Sequence, residues 1–382
     1  MRHWTAIYIF TCISGAYKVG FLALLPALYG LHVIDIGAVG WIGSLFIAAM
    51  IAGALLIERS GERLSSLSWL RTGVVVSLIA TPVLYASFTG GSIPGIALAF
   101  ILMGLSAGFT QASLNAVTGA ITIEDERFST FAQLAMLKDV MRIIMPILIG
   151  FLAVRGFLGA SILVFVAFTA VGGVALRWFP KRDRRPSPAD RAGEPLRTNK
   201  AFRAASITEF FDGFASSTLF VFVPLIFLVR GYAIDDSIYL QAMIFIGYLV
   251  GRWTIAALAT RSNGWRALGI AELGMALCIV LLLAVESYAV LVVVCILLGI
   301  FTRGTSPVIK ALAINALTDR NLKRGTAIYS IIGDVGAMSG QFVFGLLVAY
   351  VAVQAPFVLS ALVAISLAAY CLGTMPTWKR SS

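Results

Sequence analysis

Lys18 stands inside "CISGAYKVGFLALLPALYG", residues 12 to 30, a stretch otherwise apolar enough to cross a bilayer. A charge at bilayer depth costs about 2.5–3.5 kcal/mol on insertion scales, so an ionisable residue there marks a functional site or a buried ion pair. Glu209 and Asp212 raise the same question. Their i,i+3 spacing puts both carboxyl groups on one helix face. Two like charges in a medium of low dielectric do not both ionise readily, which suits such a pair to binding and releasing a proton. Asp139 and Arg142 share that spacing with opposite charges. They neutralise each other within one helix or take part in the same proton chemistry. Asp334, an acid with no basic residue within a turn, is a further candidate for carrying a proton.

Lys18 and Arg303 are the cations placed near the middle of apolar runs. The permanent charge and donor fork of Arg303 suit a carboxylate or phosphonate. Lys18 is expected to pair with Asp212 in the empty state and to anchor an anionic group when ligand enters. Tyr17, Gln111, Asn115, Ser216 and Gln341 are neutral polar candidates for lining a cavity. Such side chains serve equally to join helices. Glu209 lies nearer a span end, where simple solvation competes with function. Lys310, Arg252 and Glu272 read as interfacial, Lys310 by extending its stem toward water.

The elements that must position these residues are membrane helices. Of the 382 residues 59% are hydrophobic and 12% charged, against nearer half and a quarter in soluble domains. Apolar runs long enough to span recur throughout, without the alternation of a β-barrel. Twelve spans are predicted. Six run near 5–29, 36–58, 68–88, 93–119, 128–153 and 157–178. Six more run near 203–229, 236–259, 267–285, 288–315, 325–350 and 354–375. The expected organisation is an N-terminal six-helix bundle (1–178), a basic linker (179–202) and a C-terminal six-helix bundle (203–382). The linker carries "KRDRRPSPADRAGEPLRTNK".

The net charge of +11 does not point to nucleic acid. The basic residues gather in loops on one predicted side, which places both termini in the cytoplasm and the chain in the inner membrane. Two His residues and four scattered Cys give no metal or disulfide framework. No P-loop, HExxH or GxSxG pattern is present. The expectation is therefore a non-enzyme with no cofactor and no ATP-driven step.

The halves share an internal repeat. Setting "SGAYKVGFLALLP" on "DGFASSTLFVFVP" aligns Gly15 with Gly213 and Pro26 with Pro224, both at an offset of 198. Setting "KDVMRIIMPILIG" on "GDVGAMSGQFVFG" aligns Asp139 with Asp334 and Gly150 with Gly345, both at an offset of 195. A duplicated six-span unit implies a pseudo-two-fold axis with a site at midplane.

On this layout the chain resembles the major facilitator superfamily over essentially its whole length. The stretch "GALLIERSGER" is similar to that family's loop pattern G-x-x-x-D-R-x-G-x-R, with Glu58 at the acidic position followed by Arg59, Gly61 and Arg63. Ala54 stands where the leading glycine belongs. The resemblance implies an all-α polytopic fold of two pseudo-symmetric six-helix bundles. It also implies secondary transport by alternating access, with Glu58, Arg59, Gly61 and Arg63 as a cytoplasmic gate. "MPILIG" keeps Pro146 and Gly150 of the GPxxGG pattern of proton antiporters, with Met145 and Ile149 in place of glycines. Together with Arg303 and the run from Asp212, it is similar to drug-efflux and fosmidomycin-resistance-like members.

The function expected is proton-coupled efflux of a small organic anion or zwitterion by a monomer in the bilayer. Lys18, Tyr17, Gln111, Asn115, Arg303, Ser216 and Gln341 would bind substrate, and Asp212, Asp334, Glu209, Asp139 and Arg142 would couple protons. Uptake symport, lipid flipping and a non-transporting receptor or scaffold are the alternatives.

Overall fold

The computed structural model describes residues 2–60, 65–121, 127–179, 199–258, 264–303, 305–317 and 322–373. All regular structure among them is helical. Six helices fill the first half: α1 (Arg2–Gly30), α2 (Ile36–Ser60), α3 (Ser66–Thr89), α4 (Ile93–Ile121), α5 (Arg127–Val154) and α6 (Leu158–Ala175). The second half holds α7 (Lys200–Ser216), α8 (Thr218–Val229), α9 (Ile234–Leu258) and α10 (Gly264–Ala284). It continues with α11 (Tyr288–Arg303), α12 (Ser306–Asn315), α13 (Leu322–Tyr350) and α14 (Ala355–Gly373).

Ten stretches among the described residues are long and apolar enough to cross a membrane, and Tyr288–Thr302 is a shorter apolar helix. Many large apolar side chains on these helices are exposed, among them Val75, Ile79, Leu163, Leu277 and Leu362. Lipid rather than water is the solvent such faces require. The chain is an integral membrane protein.

The span predicted at 203–229 is α7 and α8, which meet at Ser217 within one apolar stretch, Lys200–Val229. The span predicted at 288–315 covers α11 and α12. α7 starts on Asn199, whose side chain accepts from the Phe202 N–H at 2.9 Å and donates to the Ala316 carbonyl at the end of α12.

The chain divides into two compact units, Met1–Pro186 with Arg230–Tyr239, and Ser187–Val229 with Leu240–Ser382. In the first, α4 packs on α2 and α3, and α1 on α5; in the second, α7 packs on α13, and α10 on α11 and α14.

The repeat seen in the sequence recurs in the close helix crossings. A methyl group at Gly15 on α1 would lie 3.1 Å from the Lys138 carbonyl on α5; one at Gly213 on α7 would lie 2.6 Å from the Gly333 carbonyl on α13. Offsets of 198 and 195 carry the first pair onto the second. The same offsets carry Phe46 and Gly104 onto Ile244 and Gly299, whose backbones are equally close. They also carry Gly108, packed on the Met50 carbonyl, onto Arg303. There α11 is described to Arg303 and α12 from Ser306, with a proline in its first turn.

Candidate functional site

In the first unit, Lys18 lies half-buried on α1. Tyr17, the neighbouring lining candidate, is 2% exposed, with its hydroxyl 2.6 Å from Thr169 Oγ1 on α6 and 3.3 Å from Ser77 Oγ on α3. It therefore bridges three helices inside the bundle. On α4, Gln111 is half-buried and Asn115 exposed. Asp139 on α5 is fully buried and receives Arg142 Nη1 at 2.8 Å, the intrahelical ion pair expected from their spacing. Three charged residues within two turns (Lys138, Asp139 and Arg142) interrupt the apolar run of α5. Glu58 and Arg59 end α2 exposed; Gly61 and Arg63 lie outside the described residues.

The second unit gathers more ionisable groups. α7 places Glu209 and Asp212 on one face, 7% and 0% exposed. Glu209 was expected near solvent; instead its carboxylate is buried and accepts from the Tyr329 hydroxyl of α13. Gly333 makes room for it, since any side chain there would strike the Glu209 carboxyl group. Lys310 of α12 is half-buried in the field of Glu209 and of Arg252 on α9, rather than reaching away to an interface.

Asp212 Oδ1 lies 3.3 Å from the hydroxyl of Thr305, which precedes α12. Glu272 on α10, expected to be interfacial, is 1% exposed and makes side-chain contact with Asp212. From α14 the Cys371 thiol faces Glu272, Asp212 and Thr208. Asp212 and Glu272 thus meet from α7 and α10 with the Thr305 hydroxyl beside them, while Glu209, one turn along α7, is engaged by Tyr329 of α13.

Ser216 is buried, its hydroxyl 3.4 Å from the Gly213 carbonyl. Gln341 on α13 is buried, and neither of its amide atoms is hydrogen-bonded among the described residues. Asp334 is half-buried on the same helix. Arg303 contributes its backbone to the end of α11; its side chain lies outside the described residues. Glu272 is the group sequence reasoning missed. Its single signal is an acid between apolar neighbours, eight residues inside α10.

The sequence profile of the Major Facilitator Superfamily matches residues 7–277 and 205–381. The chain belongs to the major facilitator superfamily. Solved structures agree on the fold. A POT family transporter in complex with 5-aminolevulinic acid superposes with a TM-score of 0.81 at 13% identity, covering 98% of this chain and 96% of that one. A D-xylose-proton symporter gives 0.77 at 11%, covering 96% of each. A nucleoside transporter gives 0.74 at 13%, covering 97% and 98%. A search among curated proteins finds no match. Within this superfamily fold, the acid cluster of the second unit is the most charge-dense buried region described above.

Proposed function

We propose that this superfamily member is a secondary transporter that couples movement of a small organic anion or zwitterion to movement of protons. One observation carries the reading: Asp212 and Glu272 are buried in side-chain contact in the second unit, with Glu209 buried one turn along α7. Like charges so placed repel each other and lack the solvent that would stabilise them. Uptake of a proton changes the charge of the cluster and so biases one conformation over another. Lys18 and Arg303 supply the positive charge for the substrate, and Asp139, Arg142 and Asp334 are secondary candidates in proton movement. Access alternates between the two six-helix bundles (1–178 and 203–382), which the basic linker joins. Glu58, Arg59, Gly61 and Arg63 form the cytoplasmic gate. The protein works as a monomer in the inner membrane with both termini in the cytoplasm.

Export is the direction carried by Pro146 and Gly150 in span five. Uptake by symport is the second reading, favoured by the similarity to a D-xylose-proton symporter. The test begins with a thermal-shift screen of the purified protein against small carboxylates, phosphonates and zwitterions, because a ligand that binds the folded state raises its stability by mass action. A stabilising compound is then followed in vesicles under an imposed pH gradient. Flux opposed to the proton gives export and flux with it gives uptake; flux indifferent to the gradient removes proton coupling.

A further inference from the structure

Glu272 sits in "GIAELGMAL", an acid in the apolar body of α10. Its carboxyl group is buried and in side-chain hydrogen-bonding contact with that of Asp212 on α7, itself fully buried. Glu272 Oε2 receives no donor from the described residues. A buried charged oxygen without a donor bears its whole desolvation penalty. Ionised carboxylates in contact would add their repulsion. A single proton relieves both costs, because it makes one group a donor and leaves the other an acceptor.

Thr305 points the same way. Its Oγ1 lies 2.7 Å from the Thr302 carbonyl and 3.3 Å from Asp212 Oδ1. A hydroxyl carries one proton and two lone pairs. That proton can turn to the Thr302 carbonyl or to Asp212, so the hydroxyl is a donor within reach of the Asp212 carboxyl group. A donor there favours the ionised form of Asp212 and leaves the proton to Glu272.

We propose that Asp212 and Glu272 form one proton site, with Glu272 holding the proton and donating it to Asp212. The proposal rests on the proton-coupled reading and names the group that completes its site. Other ionisable groups surround the pair. Glu209 lies one turn away on α7, engaged by Tyr329 of α13 and in the field of Lys310 on α12 and Arg252 on α9. Cys371 faces the pair from α14, with Tyr370 beside it in the field of Arg203. Asp334 lies on α13, and Cys278 and Cys295 lie along α10 and α11. Glu272 itself lies against Asp212 and the Cys371 thiol. The proton leaves the pair to water, and the site then carries one more negative charge.

The test uses the full-length protein in lipid vesicles, with infrared difference spectra recorded as the bath pH is stepped through neutrality. The expected result is a carbonyl-stretching band of a protonated carboxyl group that titrates as one proton. Asp212→Asn and Glu272→Gln each remove that same band, while Glu209→Gln leaves it and Glu272→Asp shifts it. Survival of the band in both variants, or its loss in only one, overturns the shared site. The amide bands of the same spectra report whether each variant is folded. Should either variant not fold, a wild-type spectrum without a titrating band still overturns the proposal. Flux under a pH gradient separates the two levels. Coupling without the band removes only the shared proton, and the band without coupling removes the reading on which it rests.

Discussion

Thr305 stands 3.3 Å from Asp212 and 2.7 Å from the Thr302 carbonyl, tying the start of α12 to the acid on α7. Its hydroxyl is fully buried. Removing it in Thr305→Val takes away a buried hydrogen bond, a net loss of about 1 kcal/mol. The expected outcome is a lower thermal midpoint of the detergent-purified protein, while Thr305→Ser, which keeps the hydroxyl, stays near wild type. Equal midpoints for Val and wild type would show that this hydroxyl does not hold the start of α12 to α7.

The α7/α13 crossing depends on an absent side chain. A methyl group on Gly213 would come within 2.6 Å of the Gly333 carbonyl, and backbone on both helices must shift to admit it. Gly213→Ala is expected to destabilise the second unit by about 1–3 kcal/mol, the usual cost of overpacking. Gly173→Ala is the control, since its nearest neighbour would be at 3.9 Å. A thermal midpoint lowered for Gly213→Ala and retained for Gly173→Ala is the expected pattern.

Asp139, fully buried, and Arg142, half-buried, make an intrahelical pair at 2.8 Å. Breaking one side of such a pair costs more than replacing both, because a charge is left in low dielectric. Arg142→Gln is expected to lower stability by about 3 kcal/mol. The double variant Asp139→Asn with Arg142→Gln is expected to recover part of that loss. Unfolding of the three proteins in detergent measures the difference; a double variant worse than Arg142→Gln would argue against the pair as a structural clamp.

Lys18 is the half-buried cation of α1. If it anchors an anionic group, Lys18→Ala weakens transport of such a compound at least about tenfold, and Arg303→Ala does the same, the scale of a lost charge-assisted contact. Expression and thermal midpoint should hold. Binding unchanged in both variants would redirect the choice of substrate away from anions.

The helices were legible from length and apolarity, and the six-span repeat from Gly15, Gly213, Asp139 and Asp334. The facing of side chains was not. A membrane helix is apolar on its lipid face and on its packed face, so its sequence does not mark which side looks inward. Tyr17 therefore read as a cavity residue, whereas its hydroxyl is committed to Ser77 and Thr169. Glu272 and Lys310 read as interfacial for the same reason: their partners, Asp212 and Glu209, lie some 60 to 100 residues away in sequence and meet them only through the packing of α7 with its neighbours. The interruption of span seven was likewise hidden, because Ser217, where α7 gives way to α8, is an ordinary residue in an apolar run.

Gradient-driven transport by Asp212→Asn tests the central claim most directly. Vesicles holding wild type or Asp212→Asn are given a pH gradient and a radiolabelled compound taken from the thermal-shift screen. The account predicts that wild type moves the compound against its own gradient, and that the variant loses this while still exchanging labelled for unlabelled compound. Gradient-driven accumulation that persists in Asp212→Asn would contradict the account and place the coupling group elsewhere.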